Sequence, residues 1–80
     1  MNIEQLLAVH ERETDALLAE IRAFRRRKRE SCDHLIYDGF AAQVRMLKNL
    51  GVRLTAVDEA EQELYKLSLD IFPDNGQERD

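Results

Sequence analysis

The sequence predicts an all-α fold, a helical hairpin or small three-helix bundle with one long N-terminal helix. Three observations carry that prediction. Apolar residues recur at steps of three and four over most of the chain. No segment alternates apolar and polar residues as a half-buried strand would. The punctuating residues Gly39, Gly51, Pro73 and Gly76 each stand at an expected helix boundary.

The first helix is expected over residues 3–36. Ile3, Leu7, His10, Thr14, Leu17, Ile21, Phe24, Lys28, Ser31 and Leu35 lie on one stripe, which Leu6 and Leu18 broaden. His10, Thr14, Lys28 and Ser31 interrupt it, so the stripe suits a short amphipathic contact rather than a long coiled coil. Between Arg25 and His34 only Cys32 is hydrophobic. The bases Arg25, Arg26, Arg27, Lys28 and Arg29 advance about 100° each and wrap the whole helix circumference, which leaves a solvated helix or the approach to a turn.

Asp38-Gly39 is the next punctuation, with Asp38 placed to cap a second helix over residues 39–50. Phe40, Val44 and Leu47 form its apolar face, supported by Ala41 and Leu50. Gly51 suits the left-handed residue after a helix, and Val52 the apolar residue of a Schellman ending. Thr55 then reads as the N-cap of a third helix over residues 56–71, with Asp58 in a capping-box-like position. Val57, Ala60, Leu64, Leu67 and Ile71 continue the three-four spacing. Pro73 and Asp74-Asn75-Gly76 end it. Residues 1–72 are thus expected to form a single helical domain and residues 73–80 a polar, disordered tail. The expected helix–helix contacts are Leu7, Leu17, Ile21, Phe24, Phe40, Val44, Leu47, Val57, Leu64, Leu67 and Ile71.

Net charge is -4 over 80 residues, but it is unevenly spread. Residues 1–23 carry -3, residues 24–53 carry +5 and residues 55–80 carry -6. Such segregation is the mark of a polar interaction surface. If the chain reverses near residue 38, the basic run lies opposite residues 47–51 and gathers Arg45, Lys48 and Arg53 into one positive end. Asp58, Glu59, Glu61 and Glu63 make a matching acidic surface on the third helix. Three anions could answer the bases: that acidic surface, in the same chain or a second copy; an acidic protein; or nucleic-acid phosphate. The overall negative charge favours the first.

Val44 to Leu64 resembles a helix-turn-helix, with Met46, Leu50, Val52, Val57 and Ala60 around the turn glycine Gly51. Leu50-Gly51-Val52-Arg53-Leu54 is similar to the turn in the second helical pair of MerR-type regulators. The resemblance covers about a quarter of the chain. It implies DNA reading by the following helix, yet that helix begins Thr55-Ala56-Val57-Asp58-Glu59-Ala60-Glu61, with acids where phosphate and base contacts call for Arg, Lys, Asn or Gln. Glu63-Leu64-Tyr65-Lys66 with Leu69, Phe72 and Asp74 to Gly76 resembles the last turns of Rop, a dimeric helical hairpin that binds RNA. The first helix that contacts RNA in that family has no counterpart here.

Other classes find little support. A chain this short buries about 60% of its unfolded surface, which argues against a large catalytic cleft and for self-association or a partner. One cysteine, Cys32, suits a reducing compartment. The start lacks a secretory pattern and no apolar run reaches the ~20 residues of a membrane span, so a cytoplasmic protein without membrane contact is expected. His10 with Glu13, and Cys32 with Asp33 and His34, lack the four-ligand spacing of a structural zinc site. No nucleophile–base pair or phosphate-cradling glycine loop is present, so neither catalysis nor a cofactor is expected. The expected function is a non-enzymatic protein–protein interaction module, homodimeric by preference, that regulates, bridges or inhibits a larger protein. In size and charge it is similar to small phage-encoded inhibitors such as anti-CRISPR proteins. The alternative is a regulator that binds DNA or RNA through residues 25–29.

Overall fold

A computed structural model describes residues 2–72, and the expected tail, residues 73–80, lies outside the described residues. Three helices follow one another: α1 (Ile3–Arg26), α2 (Asp33–Asn49) and α3 (Thr55–Ile71). Among the described residues there is no strand, and the all-α expectation holds.

A reciprocal capping box starts α1. The Asn2 side chain accepts the Gln5 N–H at 2.8 Å, and the Gln5 side chain accepts the Asn2 N–H at 3.0 Å. The helix was expected to continue to residue 36 but stops at Arg26. Arg27 is extended, and the Arg29 guanidinium turns back to donate to the carbonyls of Phe24 and, at 2.9 Å, Arg27. Those bonds satisfy carbonyls that a helix end leaves orphaned and set positive charge on the negative end of the dipole.

α2 therefore begins at Asp33, well before the expected start at residue 39. Asp38 caps nothing, and Asp38-Gly39 lies inside α2. A glycine within a helix costs about 1 kcal/mol relative to alanine, a cost the packing of Phe40, Val44 and Leu47 outweighs. The end of α2 follows expectation. Gly51 has φ 79°, Val52 N–H donates to the Leu47 carbonyl at 3.1 Å, and Gly51 N–H donates to that of Lys48 at 3.0 Å, a Schellman motif.

Thr55 is the first residue of α3 rather than its cap. Leu54 holds the cap position in an extended conformation, its side chain packed on the core and its carbonyl accepting the Val57 N–H at 3.0 Å. Burial of Leu54 fixes the register, so Asp58 forms no capping box and stays exposed.

α3 is the central element. It packs along both other helices, whereas the α1 and α2 backbones stand farther apart and meet through side chains such as Phe24 and Phe40. Arg22 reaches Glu59 and Glu63, and Arg25 reaches Glu63 and Asp70, so α1 and α3 run parallel. Tyr37 meets Phe72 edge to face at 5.6 Å and Lys48 meets Glu61 at 2.7 Å, both in one antiparallel register of α2 on α3. That side-by-side hairpin replaces the crossed helices of a helix-turn-helix.

The core comprises Leu17, Leu18, Ile21 and Phe24 of α1, Phe40, Val44 and Leu47 of α2, and Val57, Ala60, Leu64 and Leu67 of α3. Ile71 packs at its edge. Leu7, placed on the expected contact stripe, is 47% exposed, and the first buried residue of α1 is Thr14. The Thr14 hydroxyl donates to the His10 carbonyl at 2.6 Å, which lets a polar side chain be fully buried. The opening turns of α1 thus project past the turn between α2 and α3. The radius of gyration, 14.1 Å, accordingly exceeds the roughly 11–12 Å of a compact chain of this length.

Two glycines test this arrangement with opposite signs. A Cβ at either Gly39 or Gly51 would meet nothing within 4 Å, so backbone conformation alone decides the outcome. Gly39→Ala in mid-helix is expected to stabilise by about 0.5–1 kcal/mol and Gly51→Ala, at positive φ, to destabilise by about 1 kcal/mol. Urea unfolding midpoints should move in opposite directions. The same direction for both would contradict the placement of Gly39 inside α2.

Candidate interaction surface

The basic run spans the last two residues of α1 and the first three of the α1–α2 turn. It closes around Asp33, whose side chain is 2% exposed at the first position of α2. Asp33 accepts from the Arg27 guanidinium at 2.8 Å and from the Glu30 N–H at 2.9 Å, and lies 3.6 Å from that of Arg29. Charge-assisted bonds to a carboxylate near a helix N-terminus are among the stronger polar contacts a small protein can make. Arg27 and Arg29 also sit over the Phe24 ring, 4.3 and 4.9 Å from its centre, while Phe24 meets Phe40 edge to face at 5.7 Å. Two bases of the run thus join the end of α1, the start of α2 and the core.

Arg25 faces α3. It donates to Glu63 at 2.6 Å and approaches Asp70 at 3.8 Å. Glu63, only 12% exposed, also has Arg22 at 3.7 Å and Lys66 at 3.9 Å. The Arg25 hydrogen bond holds the Glu63 carboxyl below its ordinary pKa; burial opposes this, and the charges of Arg25, Lys66 and Arg22 reinforce it. Glu59 pairs with Arg22 at 3.9 Å and Glu61 with Lys48 at 2.7 Å. Asp58 is exposed, with no ion pair among the described residues.

Four cations of the expected basic surface remain exposed and without an ion pair among the described residues: Arg26, Lys28, Arg45 and Arg53. They do not form one positive end. Because the chain reverses at residues 27–32 and not near residue 38, Arg26 and Lys28 lie at the start of α2 and Arg53 lies beyond its far end. The 17 residues of α2 put those ends roughly 25 Å apart. The expected clustering of the run with residues 47–51 is corrected accordingly.

The metal-ligand candidates take other parts. His10 sits 3.7 Å from Glu13, and His34 is exposed. Glu30, Cys32 and Asp33 bring donor atoms within 4.8 Å of one another, but the Asp33 carboxylate is engaged by two guanidinium groups, whose charge opposes a further cation. Cys32 is exposed.

A different surface emerges between α1 and α2. Each packs on α3, so the three helices occupy three corners of a four-helix arrangement. The open corner is a groove lined by Glu13, Ala16, Leu17 and Glu20 of α1 and Gln43, Met46 and Leu47 of α2. Leu6 on α1 and Ile36 and Leu50 on α2 stand one heptad from groove residues of their own helices, Leu6 from Glu13 and Ile36 and Leu50 from Gln43. They are 47%, 38% and 63% exposed, and Met46 is 56% exposed. Sequence reasoning placed Leu6 and Leu50 as supports of the core and Met46 beside a turn. The overlooked signal was a second apolar stripe on α2, Ile36, Met46 and Leu50, offset from Phe40, Val44 and Leu47.

No family model, curated protein or solved structure matches this chain. No helix among the described residues is long and apolar enough to cross a membrane.

Two substitutions probe the charge network. Asp33→Ala strands Arg27 and Arg29 at the turn; because both retain partial access to water, the expected loss is about 2 kcal/mol, below that of a fully buried pair. Glu63→Gln is expected to cost about 1 kcal/mol at pH 7, the upper range for partly exposed pairs. A carboxyl with a lowered folded-state pKa contributes fully above its unfolded value of about 4.3, and that contribution fades as pH falls through the folded value. The stability gap between the wild-type chain and Glu63→Gln should therefore begin to narrow as pH falls below the ordinary glutamate range and close only below the lowered folded-state value in urea titrations.

Proposed function

We propose that this protein is a non-enzymatic interaction module that acts by docking on a larger protein. The observation that carries the reading is the uncovered apolar surface of the α1–α2 groove, at the end of the molecule from which the first turns of α1 project. Ile3, Leu6, Leu7, Met46 and Leu50 are between 47% and 75% exposed around one end of an 80-residue chain. Contiguous apolar surface of this kind on a small protein marks a binding site, since isolated exposed apolar residues are normal and clustered ones are not. Regulation, bridging or inhibition of the bound protein all require the same face. The anti-CRISPR-like reading is one form of this proposal.

The nucleic-acid alternative loses its main support. Arg25, Arg27 and Arg29 are occupied by carboxylates of the same chain, and the free cations are divided between two ends. A phosphate backbone would have to displace Glu63 or Asp33 to reach Arg25, Arg27 or Arg29, which leaves Arg26 and Lys28 as the accessible bases of the run.

The test is affinity purification of the tagged chain from its native cell, with and without nuclease, beside a Leu6→Glu/Met46→Glu variant. Both replaced residues are half exposed, so the variant is expected to retain helical circular dichroism. A protein that co-purifies despite nuclease and is lost with the variant supports the reading. Capture that vanishes on nuclease treatment, or that ignores the variant, overturns it. Light scattering on the same preparations reads the expected homodimer directly.

A further inference from the structure

The groove differs from the rest of the molecule in its charge. Along α3 and at the α1–α2 turn, Glu59, Glu61, Glu63, Asp70 and Asp33 all face cations of this chain. The N-terminal part of α1 is the reverse. Glu4, Glu11, Glu13, Asp15 and Glu20 are exposed there beside Arg12; Glu11 and Asp15 share a hollow with Arg53, Glu13 lies 3.7 Å from His10, and among the described residues none of the five forms an ion pair with Lys or Arg. Glu13 and Glu20 stand in the groove wall itself, two turns apart on one face, with Ala16 and Leu17 between them. An apolar floor with an acidic wall that no Lys or Arg of the described residues pairs is the complement of an amphipathic helix whose apolar face is flanked by Lys and Arg.

Resting on the docking surface proposed above, we infer that the groove seats a basic amphipathic helix of a partner protein as the fourth member of the bundle. The α1 wall from Glu13 to Glu20 spans about 10 Å, the length of roughly two helical turns. A helix with aliphatic anchors at i, i+3, i+4 and i+7 would lay them on Ala16, Leu17, Met46 and Leu47 and direct its cations at Glu13 and Glu20. A second copy is the poorer occupant. The free apolar stripe of α1 would bring Glu4, Glu11 and Glu13 against Glu13 and Glu20, and like charges facing one another at an interface select against that pairing.

The experiment uses the full chain and two labelled peptides of about 18 residues, long enough for the groove. One is built of Leu, Ala and Lys with Leu at the anchor spacing; the other replaces every Lys by Glu. Fluorescence anisotropy should show the basic peptide binding at least about tenfold tighter than the acidic one, with affinity falling as salt rises. Glu13→Lys/Glu20→Lys and, separately, Met46→Glu should each weaken it about tenfold, whereas Asp38→Lys/Asp58→Lys, with the same charge change elsewhere, should leave it within about twofold. Equal loss with the Asp38/Asp58 variant would reduce the binding to bulk charge and overturn the site. Preference for the acidic peptide, or no binding of either, would overturn the basic partner while leaving nuclease-resistant protein capture as the separate measure of the broader reading. A dimer in light scattering that dissociates on Met46→Glu would give the groove to a second copy and overturn the partner assignment alone.

Discussion

The fold depends first on the carboxylate of Asp33. It is the anion that lets a run of five consecutive bases lead into a turn, because Arg27 and Arg29 converge on it from the end of α1 while its own backbone starts α2. Five like charges in sequence favour an extended or solvated conformation by mutual repulsion. A buried acid reverses that preference, and the Arg29 contacts with the Phe24 and Arg27 carbonyls close the helix against further growth. Everything downstream is placed by this reversal: the length of α2, the position of Gly39 inside it, and the distance between the two groups of free cations.

The second consequence concerns α3. With α1 stopped at Arg26, α3 lies along α1 in parallel and along α2 in antiparallel order, and it supplies the acids that α1 and α2 require. The strongest of these contacts, Arg25 with Glu63, sits at the edge of the core where partial burial strengthens it. The central position of α3 also leaves a groove between α1 and α2. The open groove accompanies that arrangement: α3 carries the anions that face Arg22, Arg25 and Lys48, so α1 and α2 each lean on it through those cations and leave other faces uncovered.

Much of the candidate surface was legible in the chain, but its assignment was not. Glu63 and Arg25 belonged to the expected acidic and basic surfaces, and the structure joins them within one chain. Asp33 drew notice only as a neighbour of Cys32, since one acid beyond five bases looks like ordinary surface. Its role depends on a reversal of the chain that no glycine or proline announces between Phe24 and Asp38. Leu6, Met46 and Leu50 fitted a core that the chain turned out not to close around them.

By itself the sequence determined three helices, the stop at Gly51, the apolar faces of α2 and α3, and a charge distribution requiring an answering anion. Those properties are local, set by periodicity, positive φ and composition over a few turns. Only the tertiary structure decided where α1 ends, which acid answers which base, and that the corner between α1 and α2 stays empty. The physical reason is that each outcome is a competition between groups distant in sequence for the same charge or the same buried surface, and the winner is fixed when the helices pack.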